Sequence, residues 1–413
     1  MNQIRGVVKN FSYLSAIQLV NLLVTFATYP FLIRILGKEV FGLVVFAQAI
    51  VGYLMVLVSF GFQISATREI SVHRDNPAKL NEIFSSILIL KGLLFIISLG
   101  LLVLITSLVP QAREHKLLFY LSMFTCFYEF IFPSWFFQGI EKMGYSTIIT
   151  VTTKLTFLVL IFVFIRSKED YLLVPLFNGI GSVLAGILST WFAFHLEQIK
   201  FSFQPAKRLG FYLKDSSVLF FSNLSTQIYV NANKVIVGFF LGMSEVALYD
   251  LAEKVVLAMK LPQTILNQSV FPKISKDRDM GFAKKILIWS AAGQAGLYVL
   301  VFVLAPVIVL VLGGHQMSQS TGLLRFLALT VPINAISSYL GVQYLITLGF
   351  RREYLRVIVS SVIVYFIICG GLSMFGAITL NGVIAATLAT EVFALLIMWL
   401  FVTKSRAKWR AVG

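Results

Sequence analysis

The sequence predicts an all-α integral membrane protein with twelve transmembrane helices in two pseudo-symmetric six-helix bundles. Three observations predict it. Apolar residues make up 58% of the 413 residues and charged residues 13%, against about 45–50% and about 25% in soluble globular chains. The apolar residues fall in unbroken runs of the roughly 20 residues that a spanning helix needs, without the alternation of a membrane β-barrel. A short motif near residue 40 recurs half a chain later. A soluble enzyme and a disordered chain are excluded on composition alone.

The predicted spans follow from where polar breaks interrupt the apolar runs. Arg5 and Lys9 precede the first run, which is longer than a signal-peptide core and has no small-residue cleavage site behind it, so it reads as a retained helix. Spans 11–34 and 40–65 part at Gly37, and the polar segment 66–82 closes the second. Spans 83–105 and 117–138 are separated by Pro110 to Lys116. Spans 146–165 and 171–194 are bounded by Lys142 and by Arg166 to Asp170. After a polar stretch come 213–240 and 248–272, parted at Gly242. The basic segment 273–283 leads to 284–312, and a polar loop leads to 321–348. Arg351 and Arg352 open 354–373, and Gly376 parts it from 378–403.

Orientation follows from Lys and Arg in the loops. With the N-terminus inside, the inner segments hold 22 Lys and Arg and the outer ones six: Arg34, Lys38, Arg113, Lys116, Arg166 and Lys168. That bias puts both termini in the cytoplasm and requires an even number of spans. It also accounts for the net charge of +16 without nucleic acid, because the basic residues form no single stripe or arm. Trp135, Trp191, Trp289, Trp399 and Trp409 all fall toward the predicted inner face, as an interfacial belt would.

Several chemistries are excluded. Cys126 and Cys369 are far apart in apolar stretches, which rules out a disulfide framework and a CxxC metal site. The four histidines are isolated, no loop exceeds about 20 residues, and no phosphate-cradling GxxxxGK[ST] run is present. No cofactor and no metal is expected, and no catalytic residue. The function lies between the helices.

The repeat pairs Leu36-Gly37-Lys38-Glu39-Val40-Phe41-Gly42-Leu43, then Ala47-Gln48, with Leu241-Gly242-Met243-Ser244-Glu245-Val246-Ala247-Leu248, then Ala252-Glu253. The offset is 205 residues, half the chain. It divides the protein into bundles 1–200 and 201–413. An even number of spans per repeat gives both halves the same orientation, related by an axis along the membrane normal. Two such bundles around a cleft suit alternating access; the other reading is a duplicated structural membrane protein.

An ionisable group in the bilayer costs about 2.5–3.5 kcal/mol on insertion scales, so each needs a partner, a wet cavity or an escape to the interface. The candidates are Lys91, Glu129, Lys154, Lys234, Asp250, Glu253, Lys254, Lys260, Arg325 and Glu391. On the eighth span, Asp250, Glu253, Lys254, Lys260, Thr264, Asn267 and Gln268 share an arc of about 140°. That face lines a cavity or forms an interhelical salt-bridge lock. Asp250 and Lys254 are one turn apart and able to pair, and Pro262 predicts a kink. On the seventh span Ser216, Asn223, Gln227 and Lys234 form a stripe with Asn231 beside it; on the first, Gln18, Asn21, Thr25 and Thr28 form another. Such amides and hydroxyls suit a sugar, or bond neighbouring helices. Lys91 and Arg325 are near enough to interfaces to snorkel. The small residues Gly179, Gly181, Ala185 and Gly186, and Ala291, Ala292, Ala295 and Gly296, read as close helix packing.

The stretch Asn10-Phe11-Ser12-Tyr13-Leu14, the Leu36-to-Gln48 segment, Asn233-Lys234…Gly238…Leu241-Gly242, and Phe271-Pro272-Lys273-Ile274-Ser275 together resemble the polysaccharide transporter family of Wzx-type O-antigen flippases. That family shares a superfamily with multidrug and toxin extrusion transporters and lipid II flippases. The chain departs from many members in carrying Asn233 where they carry Asp before the basic residue, which leaves Lys234 more available to an anion.

The resemblance implies a bacterial inner-membrane flippase moving an oligosaccharide repeat unit on undecaprenyl diphosphate from the cytoplasmic to the periplasmic leaflet. Membrane lipid, a polysaccharide polymerase and chain-length proteins are candidate partners, and nucleic acid is not. Lys154, Lys234, Lys254 and Lys260 are candidate diphosphate ligands, with Arg34 and Arg325 near the outer mouth. Asn223, Gln227 and Asn231 are candidates for the glycan. Glu129, Asp250, Glu253 and Glu391 are candidates for ion coupling. Lys234→Ala and Lys260→Ala are each expected to impair surface-glycan export at near-normal protein abundance. Two other readings remain open at the sequence level: an ion-coupled multidrug or cation antiporter of the same superfamily, and a membrane polysaccharide polymerase. The six basic against four acidic intramembrane charges favour an anionic substrate.

Overall fold

The computed structural model describes the backbone of residues 2–277 and 280–410. The side chains of Asn10, Phe11, Ser12, Leu14, Asn223, Gln268, Phe271, Pro272, Lys273, Ser275 and Trp409 lie outside the described ones. The chain is helical and resolves into two compact units, Met1–Gln227 and Ile228–Gly413.

Unit 1 holds α1 (Asn2–Ser59), α2 (Phe62–Val72), α3 (Pro77–Leu108), α4 (Pro110–Glu114), α5 (Lys116–Ser122), α6 (Phe124–Ile131), α7 (Ser134–Gly139), α8 (Met143–Phe164), α9 (Leu173–His195) and the first part of α10 (Ala206–Phe240). Unit 2 holds the rest of α10, then α11 (Met243–Asp277), α12 (Met280–Gly313), α13 (Ser320–Leu327), α14 (Thr330–Ser338), a π-helical run Tyr339–Ile346, α15 (Arg351–Met374) and α16 (Leu380–Arg410).

Among the described residues, nine helical stretches are long and apolar enough to cross a membrane. One of them, Ala16–Val72, runs 57 residues, nearly three times the roughly 20 that a span needs. It contains the break expected at Gly37, whose φ of 75° and ψ of 164° end one helical rod of α1 and start another. Only glycine adopts that conformation without a steric penalty. Gly242, at φ 107°, parts α10 from α11 in the same way. At 35 residues, α10 and α11 are long enough to cross and stand outside the nine.

Outward faces carry bare apolar side chains. Leu155, Val159 and Val163 on α8 are about half exposed, as a helix face turned to lipid tails would be. Charged contacts gather instead at one end of unit 1. Arg68 reaches Asp215, Arg74 reaches Glu141, Lys142 reaches Glu197, and Glu82 receives Lys79, Arg208 and the Tyr212 hydroxyl.

Four sequence expectations are corrected. The spans 117–138 and 321–348 are interrupted. Phe132 turns extended before Pro133 and separates α6 from α7, because a residue preceding proline is pushed out of the α region. Likewise α13, α14 and the π-helical run divide 320–346. The kink expected at Pro262 is not among them: Pro262 lies within α11, which is helical throughout Met243–Asp277. Trp135 leaves the proposed belt: the turn at Pro133 aims it inward, where it is 2% exposed and packs 5.5 Å from Phe84. Lys91 does not snorkel; it is 2% exposed and held inside the bundle. The Gly179 and Gly186 stripe packs as expected, against Phe124 and Ile131. Ala292, Ala295 and Gly296 are exposed instead, with open space at Gly296.

Candidate functional site

Polar groups meet inside each unit, and the two clusters differ in charge.

In unit 1, α8 and α9 face each other across a cavity of about 180 Å³ lined by Thr125, Tyr128, Thr150, Lys154, Asn178 and Ser182, among others. Lys154 is halfway along α8. Its ammonium donates to Asn178 Oδ1 over a long 3.4 Å. Among the described residues no carboxylate comes within ion-pairing distance of it, whereas Lys91 and Lys260 each have one and Lys234 has two. The walls offer hydroxyl and amide groups and room for several waters. An isolated ammonium in hydrocarbon is too costly to keep, so a wet, neutral, polar wall is the arrangement that retains it. What that wall lacks is an anion.

The same unit disposes of its other intramembrane charges locally. Lys91 Nζ donates to the Glu129 carboxylate and to the Glu129 backbone carbonyl, both at 2.7 Å. That pair joins α3 to α6. On α1, the Thr25 and Thr28 hydroxyls donate to backbone carbonyls of their own helix, so this part of the stripe is spent within α1. Ser216 lies 2.6 Å from Ser65, both buried.

In unit 2 the lysines are paired. Lys234 on α10 is 3.1 Å from Asp250 and 2.6 Å from Glu253 on α11, with all three nearly buried. The expectation that Asn233 leaves Lys234 open to an anion is therefore corrected. The missing acid at 233 is supplied by the facing helix, and the polar face of α11 realises the lock. Asn233 takes a different role. Its amide nitrogen donates to Tyr249 at 2.7 Å and to Thr387 at 3.1 Å, and its oxygen accepts from Tyr365. It thus ties α10 to α11, α15 and α16. Beside it, Lys260 is 4.0 Å from Glu391. A small cavity of about 80 Å³ runs past Glu253, Lys260, Thr330, Thr387 and Glu391.

Of the other candidates, Lys254 is half-buried on α11 and has interactions of its own. Arg34 is exposed just before the Gly37 turn. Arg325 donates to the Phe302 carbonyl at 3.0 Å and lies over its ring at 4.9 Å. Gln227 is exposed and Asn231 half-buried.

Sequence reasoning missed the partners of Lys154. A signal was present: Asn178, Ser182 and Ser189 repeat at helical spacing along an otherwise apolar α9, and Thr147, Thr150 and Lys154 do so along α8.

The polysaccharide biosynthesis protein family model matches residues 7–277. The chain belongs to that family. The relatives that match the chain over nearly its whole length are named as transporters. Over 408 residues it is 25% identical to the protein named "Putative O-antigen transporter" of Escherichia coli (strain K12), covering 96% of this chain and 97% of that one. A namesake in Shigella dysenteriae is 29% identical over 400 residues, covering 94% and 98%. Among solved structures, an inward-facing multidrug resistance MATE family transporter of the MOP superfamily superposes with a TM-score of 0.70 at 13% identity, covering 93% and 96%. The lipid II flippase MurJ, in an inward closed conformation, gives 0.68 at 18%, covering 92% and 87%. These likenesses establish a multi-pass, all-helical transporter fold for this family member.

Proposed function

We propose that this family member is a flippase for an oligosaccharide repeat unit on undecaprenyl diphosphate, carried from the cytoplasmic to the periplasmic leaflet of the bacterial inner membrane by alternating access of two six-helix bundles. The observation that carries the reading is Lys154: an intramembrane ammonium whose cavity is polar, neutral and free of carboxylates among the described residues. A cation antiporter would place an acid there. The relatives named as O-antigen transporters support the substrate class.

Twelve crossings follow if α1 counts as two rods about Gly37 and α10 and α11 each cross once. Two repeats of six, 1–200 and 201–413, are supported by two correspondences. Gly37 and Gly242 both take positive φ at the repeated motif. The fourth and tenth spans are both broken into short helices. Both termini then lie in the cytoplasm.

Lys154 is the ligand for the diphosphate, and the amides and hydroxyls around it meet the sugar next to it. The membrane potential drives the step: one charge crossing 100 mV is worth about 2.3 kcal/mol, and the diphosphate moves outward with about two negative charges. Glu391, which borders the unit 2 cavity and is only loosely paired with Lys260, is the group through which an ion would couple; Asp250 and Glu253 hold Lys234, and Glu129 is committed to Lys91.

The test is genetic. Deletion of the gene should cause lipid-linked repeat units to accumulate in the cytoplasmic leaflet, with loss of surface polysaccharide. Unchanged surface polysaccharide and no accumulation would refute the assignment.

A further inference from the structure

A second cavity opens at one end of unit 2 and has a chemistry of its own. It is an open hollow of about 430 Å³ lined by Leu241, Glu245, Gln319, Leu323, Leu380 and Asn381, of which Gln319 and Asn381 are exposed, with Thr379 at its edge. The volume falls within the roughly 300–1,000 Å³ of small-molecule sites. Three turns build it: Gly242 between α10 and α11, the loop before α13, and the turn that starts α16. Among the described residues, the Glu245 carboxylate and the Gln319 and Asn381 amides make no side-chain hydrogen bond or ion pair. Three unpartnered planar polar groups therefore stand beside three leucines.

The electrostatics narrow the ligand. The loops 241–247, 313–320 and 374–377 contain no Lys or Arg. Arg325, one turn beyond Gly322, is directed onto Phe302. The cavity wall has one carboxylate and no Lys or Arg, so no side chain there offers phosphate a counter-charge. Planar carboxylate and amide groups match the adjacent hydroxyls of a sugar in bidentate fashion, and leucine side chains meet the C–H face of its ring. With both termini inside, these three turns lie on the outer face.

We propose that this cavity is a glycan subsite at the outer end of unit 2, which takes sugars of the repeat unit. The inference rests on the flippase reading and extends it. Lys154 is the diphosphate ligand of that reading, and the Glu245 cavity is a separate sugar site within unit 2.

The two sites are separable by binding measurements on the full chain in lipid nanodiscs. One probe is the repeat-unit oligosaccharide cleaved from the host's surface polysaccharide and freed of phosphate; the other is undecaprenyl diphosphate without sugar. The free glycan should bind the wild type. Glu245→Gln combined with Asn381→Ala should weaken that binding at least fivefold, while Lys154→Ala changes it less than twofold. Undecaprenyl diphosphate should show the reverse pattern. Glu245 is also in the first turn of α11, where a carboxylate favours the helix dipole. Gln319 is the N-cap residue of α13 but makes no side-chain capping hydrogen bond, so Gln319→Ala serves as an independent variant and should weaken glycan binding at least twofold. No glycan binding, or binding unaffected by all three substitutions, overturns the subsite and leaves the diphosphate site standing. Diphosphate binding that survives Lys154→Ala overturns the flippase assignment of Lys154 and not the subsite.

Discussion

The two polar clusters of this chain were assembled from the same kinds of residues, yet they end in opposite electrostatic states. In unit 1 an ammonium, Lys154, faces hydroxyls and an amide, with its nearest polar contact a 3.4 Å bond to Asn178. In unit 2 an ammonium, Lys234, is clamped between two carboxylates at 3.1 and 2.6 Å. A charge in the membrane is retained either because it is neutralised on the spot or because something else neutralises it in use. Unit 2 is of the first kind. Unit 1 is of the second. The contrast separates a structural lysine from a functional one, and each side of it can be broken experimentally.

The largest effects should come from unit 1. Lys154→Ala removes the charge that answers the diphosphate, and we expect surface polysaccharide to fall more than tenfold at unchanged protein abundance. Asn178→Asp goes further into the comparison. It places a carboxylate beside Lys154 and gives unit 1 the electrostatics of unit 2, so export should fall by a similar factor while the folded protein is no less abundant. Gel analysis of surface polysaccharide alongside membrane-fraction immunoblots reads both quantities. Export that persists in Asn178→Asp would show that the bare ammonium is not what the substrate needs.

Unit 2 should respond in the opposite currency, stability. Lys234→Ala leaves Asp250 and Glu253 buried and uncompensated, and breaking a buried pair from one side costs about 3–5 kcal/mol. The sequence alone suggests normal abundance for this variant; the structure predicts a sharp drop in membrane-inserted protein and in thermal stability. Replacing the whole set, with Lys234→Met, Asp250→Asn and Glu253→Gln, removes the unpaired charge and should restore abundance to near wild type. Failure of that rescue would mean that Lys234 does more than balance its neighbours.

Lys260 and Glu391 occupy the middle ground. At 4.0 Å and with part of each side chain exposed, the pair is loose, and loose, partly solvated pairs are worth about 1 kcal/mol or less. Lys260→Ala and Glu391→Gln should each leave abundance within about twofold. Both line the 80 Å³ cavity of unit 2, so a change in the pH or sodium dependence of export in Glu391→Gln, without a change in abundance, would place ion coupling there.

The sequence made this comparison half legible. Composition and run length gave the class of protein, and the glycine motif gave the breaks at Gly37 and Gly242, because a left-handed backbone has few other solutions than glycine. The intramembrane charges were visible by residue type alone. Their pairing was not, because it depends on which helix faces which. Asp250 is one turn from Lys254 along α11, but that it also reaches Lys234 on α10 could not be read from one helix. Trp135 read as interfacial by position until the extended Phe132 and Pro133 rotated it into the core. Helical periodicity shows which residues share a face. It does not show what that face meets.

Asn178 gives the smallest and most discriminating effect. Its amide oxygen is at the edge of hydrogen-bonding range from Lys154, so it orients the ammonium weakly and supplies no charge. Asn178→Ala should therefore leave the cation in place, widen a cavity already about 180 Å³ in volume, and reduce export only about twofold. Asn178→Asp, which changes one atom type at the same position, should cost more than tenfold. The ratio between two substitutions at one residue isolates charge from shape, because both remove the amide and only one adds an anion. If the alanine variant were instead as defective as the aspartate variant, the amide bond itself would be the essential element, and Lys154 would rank with Lys234 as a lysine held for structure.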